Sequence, residues 1–207
     1  MSFATTKHLN LRAVRESDKD SFLALGNDLR VVLTTNPGYV VPRTWTMDKQ
    51  IVSAALLAVV YEVKKEYAGL RRWDEGEERK DEEDKTQEDW DRELFAGRCW
   101  LHVRQTKNRD ASFGISVIPQ WWGHGFATEV TEWVTQHAFE QLGLHRISLG
   151  FFADNLRAQR VYEKCGFVRE GLMRKAFWRD GHWIDEVVMG IVDEDYWQRK
   201  KVPASKS

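Results

Sequence analysis

Two glycines one residue apart, Gly123 and Gly125, stand where a strand-like run gives way to a helical one. The stretch from Ser116 to Ala127 opens with apolar residues, passes Pro119, Gln120 and two tryptophans, and then enters the helix. A glycine turn at a helix start leaves backbone N–H groups without intrahelical acceptors, and the helix dipole adds partial positive charge there. Such a place suits a phosphate or pyrophosphate. The N–H groups concerned are those of Gly123, His124, Gly125, Phe126 and Ala127. Downstream, Asn155 opens a short helical pattern that carries Tyr162 and stops at Gly166. A phenol of pKa about 10 stays protonated at neutral pH and can pass a proton to a leaving group. The same ring on a helix face could equally fill a core.

Three readings compete for the glycine pair. One is a strand-to-helix turn that needs small residues and nothing more. A second, a dinucleotide loop, fails on detail: the third glycine is absent, and Pro119-Gln120-Trp121-Trp122 separates strand from glycines. The third is an acyl-coenzyme A loop, favoured by the helix, strand and second helix that follow.

The elements that must position these residues can be read from periodicity. Leu9 to Val14 alternates and predicts a strand with Leu9, Leu11 and Ala13 on one face. Ser17 and Asp18 offer a cap for a helix through Phe22, Leu25 and Leu29, and Thr46 and Asp48 start another. Leu56 to Val63 and Leu94 to Val103 predict strands, and Phe113 to Ile118 feeds the glycine loop. Phe126, Val130, Val134, Ala138 and Leu142 recur every four residues, one face of an amphipathic helix closed by Gly143. Arg146 to Phe152 is a strand. Leu172 to Trp178 and Ile184 to Val192 flank the turn Arg179-Asp180-Gly181. The order predicts a mixed α/β chain.

Composition sets the outer bounds. The 207 residues, 42% apolar and 30% charged, fit one globular domain, 1–207, with a core over about 9–193 and a polar tail at 194–207. The longest apolar run, Ala54 to Tyr61, is far short of a membrane span. With no signal-like N-terminus and only Cys99 and Cys165 as cysteines, a cytoplasmic protein without a metal site is expected. The net charge of −1 argues against nucleic acid or membrane partners. Charge is unevenly spread. Within residues 66–93, the stretch Asp74 to Glu93 holds twelve acidic and four basic residues, a net −8 against +7 elsewhere. It reads as an inserted excursion between two strands, either disordered or a charged helix, which could gather cationic substrates or serve only as a solvated loop.

Gln120-x-x-Gly123-x-Gly125-x-Ala127 resembles the Q/R-x-x-G-x-G/A motif of the GNAT superfamily of N-acetyltransferases. Asn155-x-x-Ala158-x-x-x-Tyr162-Glu163-Lys164-x-Gly166-Phe167 is similar to its second signature on the coenzyme A side. The C-terminal hairpin, MRKAFWRDGHWIDEVVMGIV, resembles that of the RimJ/RimL-type subgroup. The resemblance implies a central, mostly antiparallel twisted sheet splayed at the coenzyme A strand. It implies acetyl-CoA as cosubstrate, a small-molecule or peptide amine as acceptor, and a monomer or homodimer. By the same resemblance Val117 and Ile118 contact the cofactor through their backbone, Gln120 shapes the loop, Asn155 touches the pantetheine arm, and Tyr162 is the general acid. Arg157, Arg160 and Lys164 share the second helix and could meet the 3′-phosphate or serve only as a solvated face. The chain departs from the pattern near Ser112, where related enzymes often carry a glutamate; Asp185, Glu186, His182 or a water chain are the alternatives for a base. That departure also leaves room for a catalytically weak acyl-CoA sensor or scaffold.

Overall fold

The computed structural model describes residues 2–77 and 79–201. The chain divides into two compact units, Met1–Trp100 with Ile115–Glu129, and Leu101–Gly114 with Val130–Ser207.

In the first unit, β1 (Ala4–Thr5) pairs antiparallel with β2 (Leu9–Ala13), which pairs with β3 (Leu57–Val63) from Leu9↔Val63 to Ala13↔Val59. Leu9 and Leu11 are buried as the alternation predicts, but Ala13 is exposed, and on the opposite face Arg12 is buried. The reason is an ion pair: Arg12 makes a fork to both oxygens of Asp18 (2.8 and 2.7 Å) and donates to Glu62 (2.7 Å). Asp18 is therefore spent on Arg12 and on the Arg15 N–H (2.7 Å), and it does not cap α1 (Lys19–Asn27) with its side chain. The helix expected to reach Leu29 breaks at Asp28. That residue turns extended and its side chain accepts from the Arg30 N–H, starting α2 (Leu29–Thr35). A third helix, α3 (Trp45–Ala54), begins after Thr44.

The acidic excursion is folded where the sequence left disorder or helix open. A 3₁₀ turn spans Lys65–Leu70, and α4 (Gln87–Leu94) starts with a reciprocal capping box between Thr86 and Asp89. Trp90 is buried under the ammonium groups of Lys65 and Lys85, each 4.4 Å from its ring, and Lys85 also pairs with Glu93 (2.8 Å). Leu94 is buried beside it, so the helix packs an apolar edge although its surface is otherwise acidic.

Two long strands follow, β4 (Phe95–Gln105) and β5 (Asp110–Val117). Within the first unit the Tyr61 hydroxyl crosses Gly97 to donate to the Ser116 carbonyl (2.6 Å). A Cβ at Gly97 would collide with both, so only glycine lets this bond form.

In the second unit, Val130, Val134 and Ala138 of α5 (Phe126–Glu140) are buried at the predicted spacing. Next come β6 (Arg146–Phe152), α6 (Leu156–Cys165), β7 (Val168–Arg179) and β8 (His182–Val192). The β5–β6 ladder is parallel and runs from Asp110↔Arg146 to Ser112↔Ser148, whereas β6 pairs with β8 along its whole length. The hairpin strand β7 is longer than predicted because irregular registers at Arg169/Gly171 and Met173/Phe177 let it continue. Where the sequence predicts a polar tail at 194–207, Asp193–Lys201 forms α7, acidic in its first turn and basic in its last, as the helix dipole favours. Residues 202–207 lie outside the described residues. The strands form an eight-stranded, mostly antiparallel sheet in the order β1-β2-β3-β4-β5-β6-β8-β7, a mixed α/β fold. Cys99 and Cys165 are both buried free thiols. No helix of the described residues is long and apolar enough to cross a membrane.

Candidate active site

The glycine loop belongs to the first unit. After Val117 the chain makes a 3₁₀ turn, Pro119–Trp121, held by two indoles. Trp121, 1% exposed, donates to the Phe95 carbonyl (3.1 Å), and Trp122 donates to the Val117 carbonyl (2.8 Å). Gly123 and Gly125 are exposed and left-handed, with φ of +87° and +81°. Left-handed residues on either side of one with negative φ are the setting in which a backbone nest forms. Among the described residues, the N–H groups of Gly123, His124, Gly125 and Phe126 meet no acceptor, while the Gly125 carbonyl already accepts from Glu129 (3.1 Å) in the first turn of α5. Ala127 lies in that turn. Beneath the loop, Phe126 is buried and His124 packs against it and Trp121, with centroids 5.7 and 6.2 Å away. Four open donors at a helix start, on a rigid aromatic base, are a cradle that fits a pyrophosphate.

Not every expected contact has its backbone to spare. The Ile118 N–H donates to Ala96 (2.9 Å), and its carbonyl accepts from Trp121 (3.0 Å). Of the two strand residues, Val117 is the one whose amide lies on the opposite strand edge from that bond. Gln120 has a role the motif does not reveal. Its carbonyl accepts from the Arg72 N–H (3.0 Å) and its side chain donates to Asp74 (2.9 Å), so it ties the start of the acidic excursion to the loop.

The second motif belongs to the second unit. Asn155 caps α6: its Oδ1 accepts from the Ala158 N–H (3.1 Å), and its own N–H donates to Phe152 (2.8 Å). The helix ends at Gly166, left-handed at φ +95°, where the Phe167 N–H returns to the Tyr162 carbonyl (3.0 Å). Arg199 of α7 crosses directly over Gly166 and donates to the Lys164 carbonyl (2.9 Å), leaving no room there for a side chain. Between cap and stop, Tyr162 is buried among Phe113, Phe151 and Phe167, with ring centroids 5.6 to 6.5 Å away. Its hydroxyl bonds to no group among the described residues. Burial raises the phenol pKa above its usual value, so the group is held protonated. Arg157, Arg160 and Lys164 are exposed on the same helix.

The alternatives for a base separate clearly. The Asp185 carboxylate accepts from the Lys175 N–H (2.8 Å) and holds an irregular stretch of β7, while His182 is exposed in the hairpin turn. Glu186 makes no hydrogen bond or ion pair among the described residues, and burial raises its pKa above the usual carboxylate value. Its carboxylate occupies the space over Gly150 on β6, which a side chain there would fill. Ser112, where the sequence lacks a carboxylate, sits opposite Ser148 in the β5–β6 ladder. Away from both motifs, His145, Asp193 and Glu194 bring donor atoms within 4.8 Å of one another.

The family model of the acetyltransferase (GNAT) domain matches residues 8–168. The chain is 29% identical to the uncharacterized N-acetyltransferase YoaA of Bacillus subtilis over 90% of its own length and 94% of that protein. It is 34% identical to the spermidine N(1)-acetyltransferase of Vibrio cholerae, across 45% of this chain and about half, 54%, of that one. The crystal structure of a Vibrio cholerae spermidine N-acetyltransferase in complex with CoA and spermine superposes with a TM-score of 0.71, at 23% identity, over 93% of this chain and 99% of the other.

Proposed function

The chain belongs to the GNAT acetyltransferase family and is an acetyl-CoA-dependent N-acetyltransferase, and on that premise we propose that the Gly123–Phe126 loop holds the pyrophosphate of acetyl-CoA, that Tyr162 is the general acid and that a cationic amine is the acceptor. The observation that carries this reading is the run of four unpaired N–H groups between and after two left-handed glycines. In the reaction, the acceptor nitrogen attacks the thioester carbonyl, the new C–N bond forms and the C–S bond breaks. Tyr162 gives its proton to the departing thiolate, a role served by a phenol that burial keeps protonated. Glu186 takes the proton the ammonium must lose. A carboxylate whose pKa burial has raised is a better base than a solvated one.

The −8 charge of the excursion supports a cationic acceptor. So does the spermidine named for the Vibrio cholerae relative. The C-terminal hairpin supports placement in the RimJ/RimL-type subgroup. The test is release of free thiol from acetyl-CoA with spermidine, a basic peptide N-terminus and a neutral amino acid as acceptors. Turnover should be highest with spermidine and fall as salt is raised. Equal turnover on the neutral amine at all salt concentrations would remove the cationic-acceptor assignment.

A further inference from the structure

We propose that the inserted segment is part of the cofactor site and that Arg72 is a phosphate-binding residue within it, contacting the pyrophosphate beside the glycine loop. The inference rests on the assignment of that loop to acetyl-CoA.

Adjacent arginines of the excursion have opposite surroundings. Arg71 is buried, pairs with Glu77 (2.6 Å) and stacks on Trp73 with its guanidinium carbon 4.2 Å from the ring; it holds the segment together. Arg72 is exposed and makes no ion pair among the described residues. Its guanidinium nitrogen lies 3.2 Å from where a Cβ at Gly123 would stand, so it sits against the loop whose amides are open.

That position is built. The Arg72 N–H donates to the Gln120 carbonyl (3.0 Å), and two residues on Asp74 accepts from the Gln120 side chain (2.9 Å). Asp74 would repel a phosphate, but Arg30 engages both its oxygens (2.9 and 2.8 Å) and lowers its pKa. Asp28 in turn binds Arg30. The Asp74 carboxylate is thus turned toward and engaged by Arg30, while the guanidinium of Arg72 beside Gly123 makes no ion pair among the described residues. A guanidinium presents a planar fork that matches two phosphate oxygens, and charge-assisted bonds of this kind are among the strong ones. Gly123 is then required twice, for its left-handed φ and for the space Arg72 occupies.

Titration calorimetry of acetyl-CoA with the full chain and with Arg72→Ala and Arg72→Lys separates the outcomes. Arg72→Ala should weaken binding roughly 10-fold to 100-fold, as expected for loss of a charge-assisted contact, and Arg72→Lys should fall between. The loss should persist with 3′-dephospho-CoA, because the contact is to the pyrophosphate. Equal affinity of the unaltered chain and Arg72→Ala would overturn the proposal, and a loss that vanishes with 3′-dephospho-CoA would overturn the pyrophosphate assignment. If the unaltered chain itself fails to bind, the loop assignment falls first. Arg72 is exposed, so Arg72→Ala should unfold at the same temperature as the unaltered chain, which keeps an affinity loss attributable to the contact.

Discussion

The two motifs are built on opposite principles. At the start of α5 the chain leaves the four amides of Gly123 to Phe126 open around two left-handed glycines. At the start of α6 it closes the equivalent vacancy with its own Asn155 side chain, then seals the far end with Gly166 under Arg199. Both are strand-to-helix transitions read from similar residue types. The difference teaches where a ligand belongs. A helix end that the protein satisfies for itself holds a side chain in place, here Tyr162. A helix end left unsatisfied on a rigid base is waiting for an acceptor from outside.

That contrast can be broken by substitution. Tyr162→Phe removes the proton donor and keeps the ring among Phe113, Phe151 and Phe167. It should lower kcat by about 10²–10⁴-fold with acetyl-CoA affinity unchanged. An unaltered kcat in steady-state assays would make Tyr162 a packing residue only. Glu186→Gln should cost about 10²-fold and flatten the acid limb of the pH–rate profile. The sign follows from the raised pKa: the base works when ionised, so activity falls as pH drops through a value above the usual 4.5. An acid limb that survives in Glu186→Gln belongs to another group. Gly125→Ala meets no atom within 4 Å, so its only cost is the left-handed backbone, about 1–2 kcal/mol. Acetyl-CoA binding should weaken by about 10-fold while kcat at saturation holds; a drop in kcat instead would blur the division between the two motifs. Asn155→Ala loses the cap to Ala158 and should lower stability by about 1 kcal/mol in urea unfolding, with a smaller effect on acetyl-CoA affinity than Gly125→Ala. The reverse ranking would mean that Asn155 meets the cofactor directly.

Local rules made much of this legible in the sequence. Glycines at strand-to-helix turns, an asparagine ahead of a helix and an every-fourth-residue apolar stripe act within a few residues, and all recur in the structure at the expected positions. What escaped depends on partners distant in sequence. Arg12 is buried on the face opposite Leu9 and Leu11 because Glu62, fifty residues on, is there to pair with it. Trp90 could not declare a packed helix until Lys65 and Lys85 lay across it. Ile118 is expected to offer its backbone to the cofactor, yet its amide donates to Ala96 on the neighbouring strand. Nothing in the residues around Arg72 reports that Gly123 lies against it.

The two cysteines bear on how turnover can be seen. Burial raises the Cys99 thiol pKa above its usual value and pushes Cys165 up to about 12. A thiolate is the nucleophile toward disulfide reagents, and neither residue offers one near neutral pH while the protein stays folded. An aromatic disulfide dye added to a running reaction should therefore colour in proportion to released coenzyme A, with a protein background that appears only on denaturation. The same enclosure keeps both sulfurs from thiol–disulfide exchange with coenzyme A already oxidised to its disulfide, so that form should not inactivate the enzyme by that route.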